Sequence, residues 1–453
     1  MIPEALIYLG VMLVVICLWF LLFKRPIYEG VILSFAILVI ITGTWGQVGS
    51  FFASAMKTSL LYSMVAFIAM SQILTKTKIV DNCVMIIISL LGRIPGGAGY
   101  ASIIASSFMG ALSGSGPGNV MATGTITIPA MKKTGFPPEL AANVESAASY
   151  LGNMIPPSAN IVAALGAYLA FAPDSNMTTG RFWIVCWGLS LWFVLARVVQ
   201  LFVFCMIYKI KPMEKSDIPP LSKTLKEGWN GLLLPVIILV PFIFDSVFNA
   251  TFITERLGAV GAKHFSSSLL IFVAGIAAVY GLFAAKDKSV RSPRTIVKIF
   301  SKGVKGLAPI VATCIFGYAI GELFEYIEAG AQIKAVFESL NIGRIGLSFL
   351  VPLLTCFVTM VIPGSSVTVM FGTVFISLFA SAGVDPLLVA AMLPCMCGVM
   401  CGITPPFALG MYAGMSIAES DFDKTLKNDL WWVAVQYVME VIVLLGWLPI
   451  VGL

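Results

Sequence analysis

Charge is scarce in this chain. Of its 453 residues only 11% are Asp, Glu, Lys or Arg, and a single histidine, His264, is present. A soluble domain carries about a quarter charged residues, so this chain cannot cover a water-facing surface. With 59% of it hydrophobic, lipid has to be its solvent. One histidine and no Gly-x-Ser-x-Gly elbow leave a membrane-embedded hydrolase without its base and nucleophile, and an enzyme is not expected. Cysteine is not scarce, but Cys395, Cys397 and Cys401 share one apolar run and show no zinc-type pairing. Small buried thiols are expected there, and no metal cluster or cofactor. Nor is there a repeated pore-loop filter or ring-forming charge pattern of the kind that marks a channel.

What is abundant is apolar sequence. The runs 2–23, 31–44, 233–244, 269–285 and 433–451 approach the roughly 20 residues that a bilayer-spanning helix requires. The first is followed by Lys24-Arg25 rather than by a small-residue cleavage site, so it reads as a first span. The excess of 28 basic over 22 acidic residues fits loops facing an anionic cytoplasmic leaflet better than a nucleic-acid partner. Two basic clusters, 209–226 and 286–305, flank two apolar runs near 229–248 and 266–284. Two crossings return the chain to one side, so both clusters can be cytoplasmic. Further spans then fall near 5–23, 27–45, 54–74, 181–207 and 306–328, with 79–91 along the membrane surface. The apolar stretch between Arg93 and Lys132 leaves and returns on one side, as a re-entrant hairpin does.

The chain repeats itself. Gly92-Arg93-Ile94 recurs as Gly343-Arg344-Ile345, Gly124-Thr125 as Gly372-Thr373, Gly135-Phe-Pro-Pro138 as Gly383-Val-Asp-Pro386, and Pro156-Pro157 as Pro405-Pro406. The matches are collinear. The basic loops put the first hairpin inside, and counting spans puts the second, 343–381, outside, so the halves are inverted. Inverted repeats with interrupted helices mark many secondary transporters. The expected fold is an all-α integral membrane protein of about ten transmembrane helices plus two re-entrant helical hairpins in two inverted repeats. The divisions are scaffold 1–91, hairpin and broken helix 92–170, connecting helix and loop 171–228, second scaffold and arm 229–341, second hairpin and broken helix 342–418, and a last helix 419–453.

Polar residues interrupt these segments in four places. The first hairpin turns at Ser113-Gly-Ser-Gly-Pro-Gly-Asn119, and the helix after it breaks at Gly152-Asn-Met-Ile-Pro-Pro-Ser158. Two prolines supply no N–H, so carbonyls one turn upstream lose their helical partners. In hydrocarbon that costs several kcal/mol unless something satisfies them. A small hard cation held by oxygen does so. The second repeat offers matching parts at Ile362-Pro-Gly-Ser-Ser366 and Cys401-Gly-Ile-Thr-Pro-Pro406, with Gly364, Gly402 and Thr404 near the freed carbonyls. Helix N-termini following the tips and breaks favour an anionic cargo. Kinking or helix packing is the competing reading of each cluster. Glu145 is either a proton carrier or a carboxylate near a helix start, and the helix start is favoured. Glu322 and Glu325 are expected near the outer interface, His264 in an outer loop, Arg197 snorkelling or paired within the bundle, and Trp431-Trp432 as interfacial anchors.

Residues 113–158 closely resemble the first-repeat signature of the large membrane subunit of TRAP (tripartite ATP-independent periplasmic) transporters, the DctM-like family, and 403–418 resembles its second-repeat counterpart. The resemblance implies an elevator-type importer in a bacterial or archaeal cytoplasmic (inner) membrane. It also implies a small four-helix membrane subunit, an extracytoplasmic substrate-binding protein, and Na⁺-driven uptake of organic acids. Carried onto this sequence, one Na⁺ site would use Ser113, Ser115, Gly152, Ile155 and Pro157. A second would use Gly364, Gly402 and Thr404, and substrate would face Asn119, Ser158 and Ser365. The second hairpin departs from the family pattern, since Thr359 and Gly364 replace a glycine and a threonine around Met360 and Pro363. The first repeat is closest to the subgroup fused to its small subunit, yet the additional N-terminal spans of a fusion are not seen, so a separate small subunit is expected. The alternative is a stand-alone ion-coupled carboxylate transporter without a binding protein. The inverted topology predicts that a cysteine at 134 labels from the cytoplasm and one at 384 from outside.

Overall fold

The computed structural model describes residues 4–57, 59–77, 79–113, 116–175, 177–329, 332, 335, 342–360, 364–404 and 408–453. Among these the chain is helical, without a strand. Helices α1 (Glu4–Cys17), α2 (Ile27–Thr42), α3 (Val48–Lys57), α4 (Ser59–Thr77) and α5 (Ile79–Leu91) precede a hairpin of α6 (Gly97–Ser113) and α7 (Gly116–Lys133). A broken helix follows, α8 (Pro138–Leu151) and α9 (Ala159–Phe171), then α10 (Thr179–Ile207), α11 (Leu221–Phe248), α12 (Thr254–Ala284) and α13 (Pro293–Tyr326). The second hairpin is α14 (Arg344–Thr359) and α15 (Gly364–Ser381). Its broken helix is α16 (Pro386–Leu393) and α17 (Leu409–Ala418), and α18 (Phe422–Leu444) ends the fold.

Among the described residues five stretches, Pro138–Phe171, Thr179–Ile207, Leu221–Ala262, His264–Ala284 and Gly364–Ser381, are long and apolar enough to cross a bilayer. Seven further apolar helices of 10–17 residues include hairpin arms and half-helices, which need not cross alone.

The two repeats share even their turns. Gly135 ends α7 at φ +95° and Gly383 ends α15 at φ +78°, a left-handed conformation that glycine adopts without a Cβ penalty. At both, the amide after the glycine bonds back to the helix: Phe136 N to Met131 O at 3.2 Å, Val384 N to Phe379 O at 3.0 Å. Pro138 and Pro386 then start the next helices, where the missing N–H costs nothing.

Helix α18 measures the inversion. Near its start, Asn143 of α8 donates to the Thr425 carbonyl at 2.8 Å, and Lys132 at the foot of the first hairpin donates to Ala418 O at 2.7 Å. At its end, Arg344 at the foot of the second hairpin donates to Leu444 O at 2.9 Å. The 23 residues between span about 34 Å, so the two hairpin feet lie at opposite ends of the molecule.

Around this core, α13 packs on α2, α3 and α4, and α12 on α4. Helix α5, expected along the surface, lies against α11, where Gly228 and Gly231 admit Asn82 and the Ile79 carbonyl. Two expectations are corrected. His264 sits exposed within α12 rather than in a loop. The turn there is made by a π segment at Asn249–Ile253 and by Gly258 at φ +71°, and Asp245 ties it by accepting from Ser266 Oγ at 2.7 Å. Trp432 is fully buried and only Trp431 is exposed, because neighbours on a helix point about 100° apart.

Positions 134 and 384 are themselves buried, at 4% and 2% exposure, so the topology test moves to their exposed neighbours. Lys133→Cys is expected to react with an impermeant maleimide only from the cytoplasmic side, and Ser381→Cys only from outside. Labelling of both from one side in intact cells refutes the inversion.

Candidate functional site at the crossing of two helix breaks

The first break forms because Pro156 and Pro157 offer no N–H to the carbonyls of Gly152 and Asn153. The chain tightens instead into a 3₁₀ turn over Gly152–Met154, where Ile155 N reaches Gly152 O at 3.2 Å. The Met154 carbonyl accepts from Ser190 Oγ of α10 at 2.6 Å. Ser158 then opens α9 as its N-cap, its hydroxyl accepting from Asn160 N at 3.2 Å. The break is enclosed: Gly152, Ile155, Pro157 and Ser158 are all buried.

The first hairpin meets this break backbone to backbone. A Cβ at Gly152 would lie 2.3 Å from the Ala111 nitrogen, and one at Gly110 would lie 2.1 Å from the Ser149 carbonyl oxygen. Only glycine at both positions permits this approach. The second repeat repeats the contact. A Cβ at Gly364, where α15 begins, would lie 2.1 Å from the Cys397 carbonyl oxygen in the π segment Pro394–Val399 of the second break.

The two breaks also cross each other. Asn153 Nδ2 donates to the Gly398 carbonyl at 2.6 Å, 245 residues away. Tyr150, the last aromatic residue before the first break, fills the remaining gap. Its ring lies against Gly116 of the first hairpin and against Gly402 and Gly410 of the second broken helix, each too close for a Cβ. Thr404 turns its hydroxyl to the Met400 carbonyl at 2.8 Å. Ser365 is half-buried at the start of α15. Ser115, the Ser113 side chain, Pro363, Pro405 and Pro406 lie outside the described residues.

Asn119 is 1% exposed, and its amide donates to Ser106 O at 2.7 Å and Ser149 Oγ at 2.8 Å. It belongs to a larger network around Glu145. Ser102 Oγ and Thr127 Oγ1 approach one carboxyl oxygen at 2.6 and 2.5 Å, and Thr123 Oγ1 and Ser149 Oγ approach the other at 2.5 and 3.1 Å. Glu145 follows Pro138 by seven residues, about 10 Å of helix axis, and is wholly buried. The expected place near a helix start is therefore corrected: Glu139 occupies the first turn, and Glu145 clamps both hairpin arms to α8. Arg197 pairs within the bundle. It donates to Trp432 O at 2.9 Å and Gln436 Oε1 at 2.9 Å, with its guanidinium 5.3 Å from the Trp432 ring centre. Gln436 in turn reaches Glu440 and Cys395 at the second break.

Sequence reasoning missed Gly110 and Tyr150. Tyr150 had one signal, as the sole aromatic residue in 139–154. Gly110 had none, since a glycine in a membrane helix has many uses.

A family model described as the DctM component of tripartite ATP-independent periplasmic transporters matches residues 5–451. This chain belongs to that family. It is the large permease subunit of a TRAP transporter and a multi-pass membrane protein. It is similar to the C4-dicarboxylate TRAP transporter large permease protein of Pseudomonas aeruginosa, at 24% identity over 88% of this chain and 87% of that one. The corresponding Vibrio cholerae protein is 26% identical, covering 86% of each chain. The sialic acid TRAP transporter large permease protein of Vibrio cholerae is 23% identical over 82% of this chain and 80% of that one. These relatives are permease subunits rather than enzymes. Among solved structures, Neisseria gonorrhoeae MtrF, from a class of antimetabolite efflux pumps, superposes with a TM-score of 0.65 at 14% identity, covering 91% of this chain and 86% of that one. The Alcanivorax borkumensis YdaH transporter gives 0.60 at 16% identity, covering 90% and 88%. Both share the fold. As a DctM component the chain works with a small membrane subunit and a periplasmic binding protein.

For this DctM-family chain, Glu145→Ala leaves Ser102 and Ser149 without their acceptor, whereas Thr123 and Thr127 keep main-chain carbonyls at 2.8 and 3.1 Å. The expected loss is about 1–3 kcal/mol for each stranded hydroxyl. It is read as a lower melting temperature of the purified chain in detergent. Glu145→Gln, which keeps an acceptor oxygen, is expected to lose less. Equal melting of wild type and Glu145→Ala refutes the clamp.

Proposed function

We propose that this chain carries Na⁺ and an organic anion, a carboxylate, across a bacterial or archaeal inner membrane by an elevator motion of its hairpins and broken helices. The cargo is handed over by the extracytoplasmic binding protein, and a small four-helix subunit extends the scaffold. The observation that carries this reading is the crossing of the two breaks, each met by a hairpin through glycine.

Four helices start at that crossing. Gly116 of α7 and Gly410 of α17 lie on Tyr150, Gly364 of α15 lies on Cys397, and Asn160 of α9 lies beside Gly398. Helix N-termini carry partial positive charge, so this centre favours an anion such as a carboxylate. The carbonyls freed by the proline pairs favour small hard cations. Ser113 and Ser115 with Gly152, Ile155 and Pro157 would hold one Na⁺, and Gly364, Gly402 and Thr404 a second. Asn119, Ser158 and Ser365 would face the cargo. Cation binding would neutralise carbonyl dipoles and make anion binding more favourable, which couples the two.

Sliding requires a smooth face. Helices α9 and α15 meet α13 across a cavity of about 340 Å³ whose α9 wall is Ala163, Gly166, Ala167 and Ala170, closed at the helix end by Phe171. Small side chains and incomplete packing lower the resistance to translation along α13. The names of the relatives above support a carboxylate-type cargo.

The test is uptake into proteoliposomes containing this chain and its small subunit, with the binding protein outside. Uptake is expected to need all three parts and an inward Na⁺ gradient. Undiminished uptake with K⁺ in place of Na⁺ overturns Na⁺ coupling, and uptake by this chain alone favours the stand-alone transporter. Ser115→Ala combined with Gly152→Ala is expected to raise the Na⁺ concentration for half-maximal uptake several-fold, by removing an oxygen and forcing apart the Gly152–Ala111 contact. An unchanged Na⁺ response refutes the first cation site.

A further inference from the structure

We infer that a groove between α10 and α18 is a specific binding site for an anionic phospholipid of the cytoplasmic leaflet. The groove encloses about 1060 Å³. Its body is apolar, running to Trp192 and Leu448 at the far end. Its mouth carries Lys424 and Lys427, and its walls hold two buried amides, Gln200 and Asn428.

The mouth lies on the basic side of the molecule. Lys133 pairs with Asp217 at 3.1 Å, Lys211 N donates to Thr134 O at 3.0 Å, and Lys132 reaches Ala418 O just before α18. Basic loops face the cytoplasm, where the leaflet is anionic. Among the described residues neither Lys424 nor Lys427 is within ion-pair distance of a carboxylate, and Glu139 is the acidic residue at the same mouth. Lys424, Lys427 and Asn428 stand at i, i+3 and i+4, so all three share one face of α18.

Two buried amides, Gln200 and Asn428, border the groove, with their unpartnered polar atoms sealed from it. Gln200 and Asn428 are each 8% exposed. Gln200 Nε2 and both polar atoms of Asn428 have no hydrogen-bond partner among the described residues. Asn428 lies six residues into α18 and Gln200 seven residues before the end of α10, so both sit about 10 Å below the helix ends. A diacyl phospholipid carries its phosphate at the surface, ester carbonyls just beneath, and chains below those. That order matches lysines at the mouth and an apolar wall beneath them. From Lys427 to Ile442 the groove runs about 22 Å along the helix, more than the roughly 15 Å of one leaflet's hydrocarbon. Two lysines without a carboxylate partner at the cytoplasmic mouth suit a phosphate at the membrane surface better than the apolar face of a second transmembrane helix. A singly anionic phospholipid such as phosphatidylglycerol brings that order together with the charge the lysines call for.

This site is independent of the transport cycle proposed above, so its test does not depend on uptake. The full-length chain is delipidated in neutral detergent and titrated with dioleoyl phosphatidylglycerol, phosphatidylethanolamine or phosphatidylcholine under native mass spectrometry. Phosphatidylglycerol is expected to bind at least about tenfold more tightly than phosphatidylcholine, and Lys424→Gln with Lys427→Gln to remove roughly that preference. A photoreactive phosphatidylglycerol incorporated with the unaltered chain should cross-link to peptides of α10 and α18. Equal affinity for the three lipids, an unchanged preference in the double lysine variant, or cross-links outside these helices overturns the proposal. So does recovery of a second chain, instead of lipid, from a photo-cross-linker placed at Trp431.

Discussion

The fold is organised around main-chain carbonyls that have lost their helical partners inside hydrocarbon. Pro156 and Pro157 create them in the first repeat. Lipid cannot satisfy such groups, so protein has to surround them. Gly110 and Gly152 allow a hairpin arm to press against the break at main-chain distance, and Asn153 brings the second break onto the first. Once those contacts exist, the hairpins, the half-helices and Tyr150 between them have little freedom in where they lie.

Two polar networks brace this centre from different sides. Glu145 gathers hydroxyls from both arms of the first hairpin and from its own helix, fastening α6 and α7 to α8. Arg197 gathers Gln436 and the Trp432 carbonyl, and through Gln436 the thiol of Cys395, fastening α10 and α18 to the π segment of the second break. Interhelical hydrogen bonds in membrane proteins are individually modest, and here their value lies in number and in geometry. In the proposed elevator motion, a body braced in this way would move as a unit past α13 with the proposed ion-binding oxygens in place.

The outer wall of the same body faces lipid along α10 and α18. Lysines at its mouth above an apolar body give that wall a polarity gradient matching a phospholipid's own. In the proposed elevator motion, a lipid held there would travel with that body.

Residue composition alone decided that the chain lives in a membrane, because charge density sets the solvent. The order of glycine and proline motifs decided the two repeats, because helix-breaking is local chemistry that sequence records directly. The same holds for the turns at Gly135 and Gly383 and for Pro138 and Pro386 as helix starts. Basic loops placed the hairpin feet at opposite ends, as α18 measures. Tertiary structure alone decided which glycines are contacts, that Tyr150 fills the crossing, that Glu145 lies two turns into its helix with four hydroxyls, and that Trp432 faces inward while Trp431 faces out. It also decided that the chain near His264 is helix rather than loop. The division has one physical cause. Local backbone chemistry is set by neighbours in sequence, whereas a close approach between residues such as Asn153 and Gly398 depends on the whole chain having already found its path.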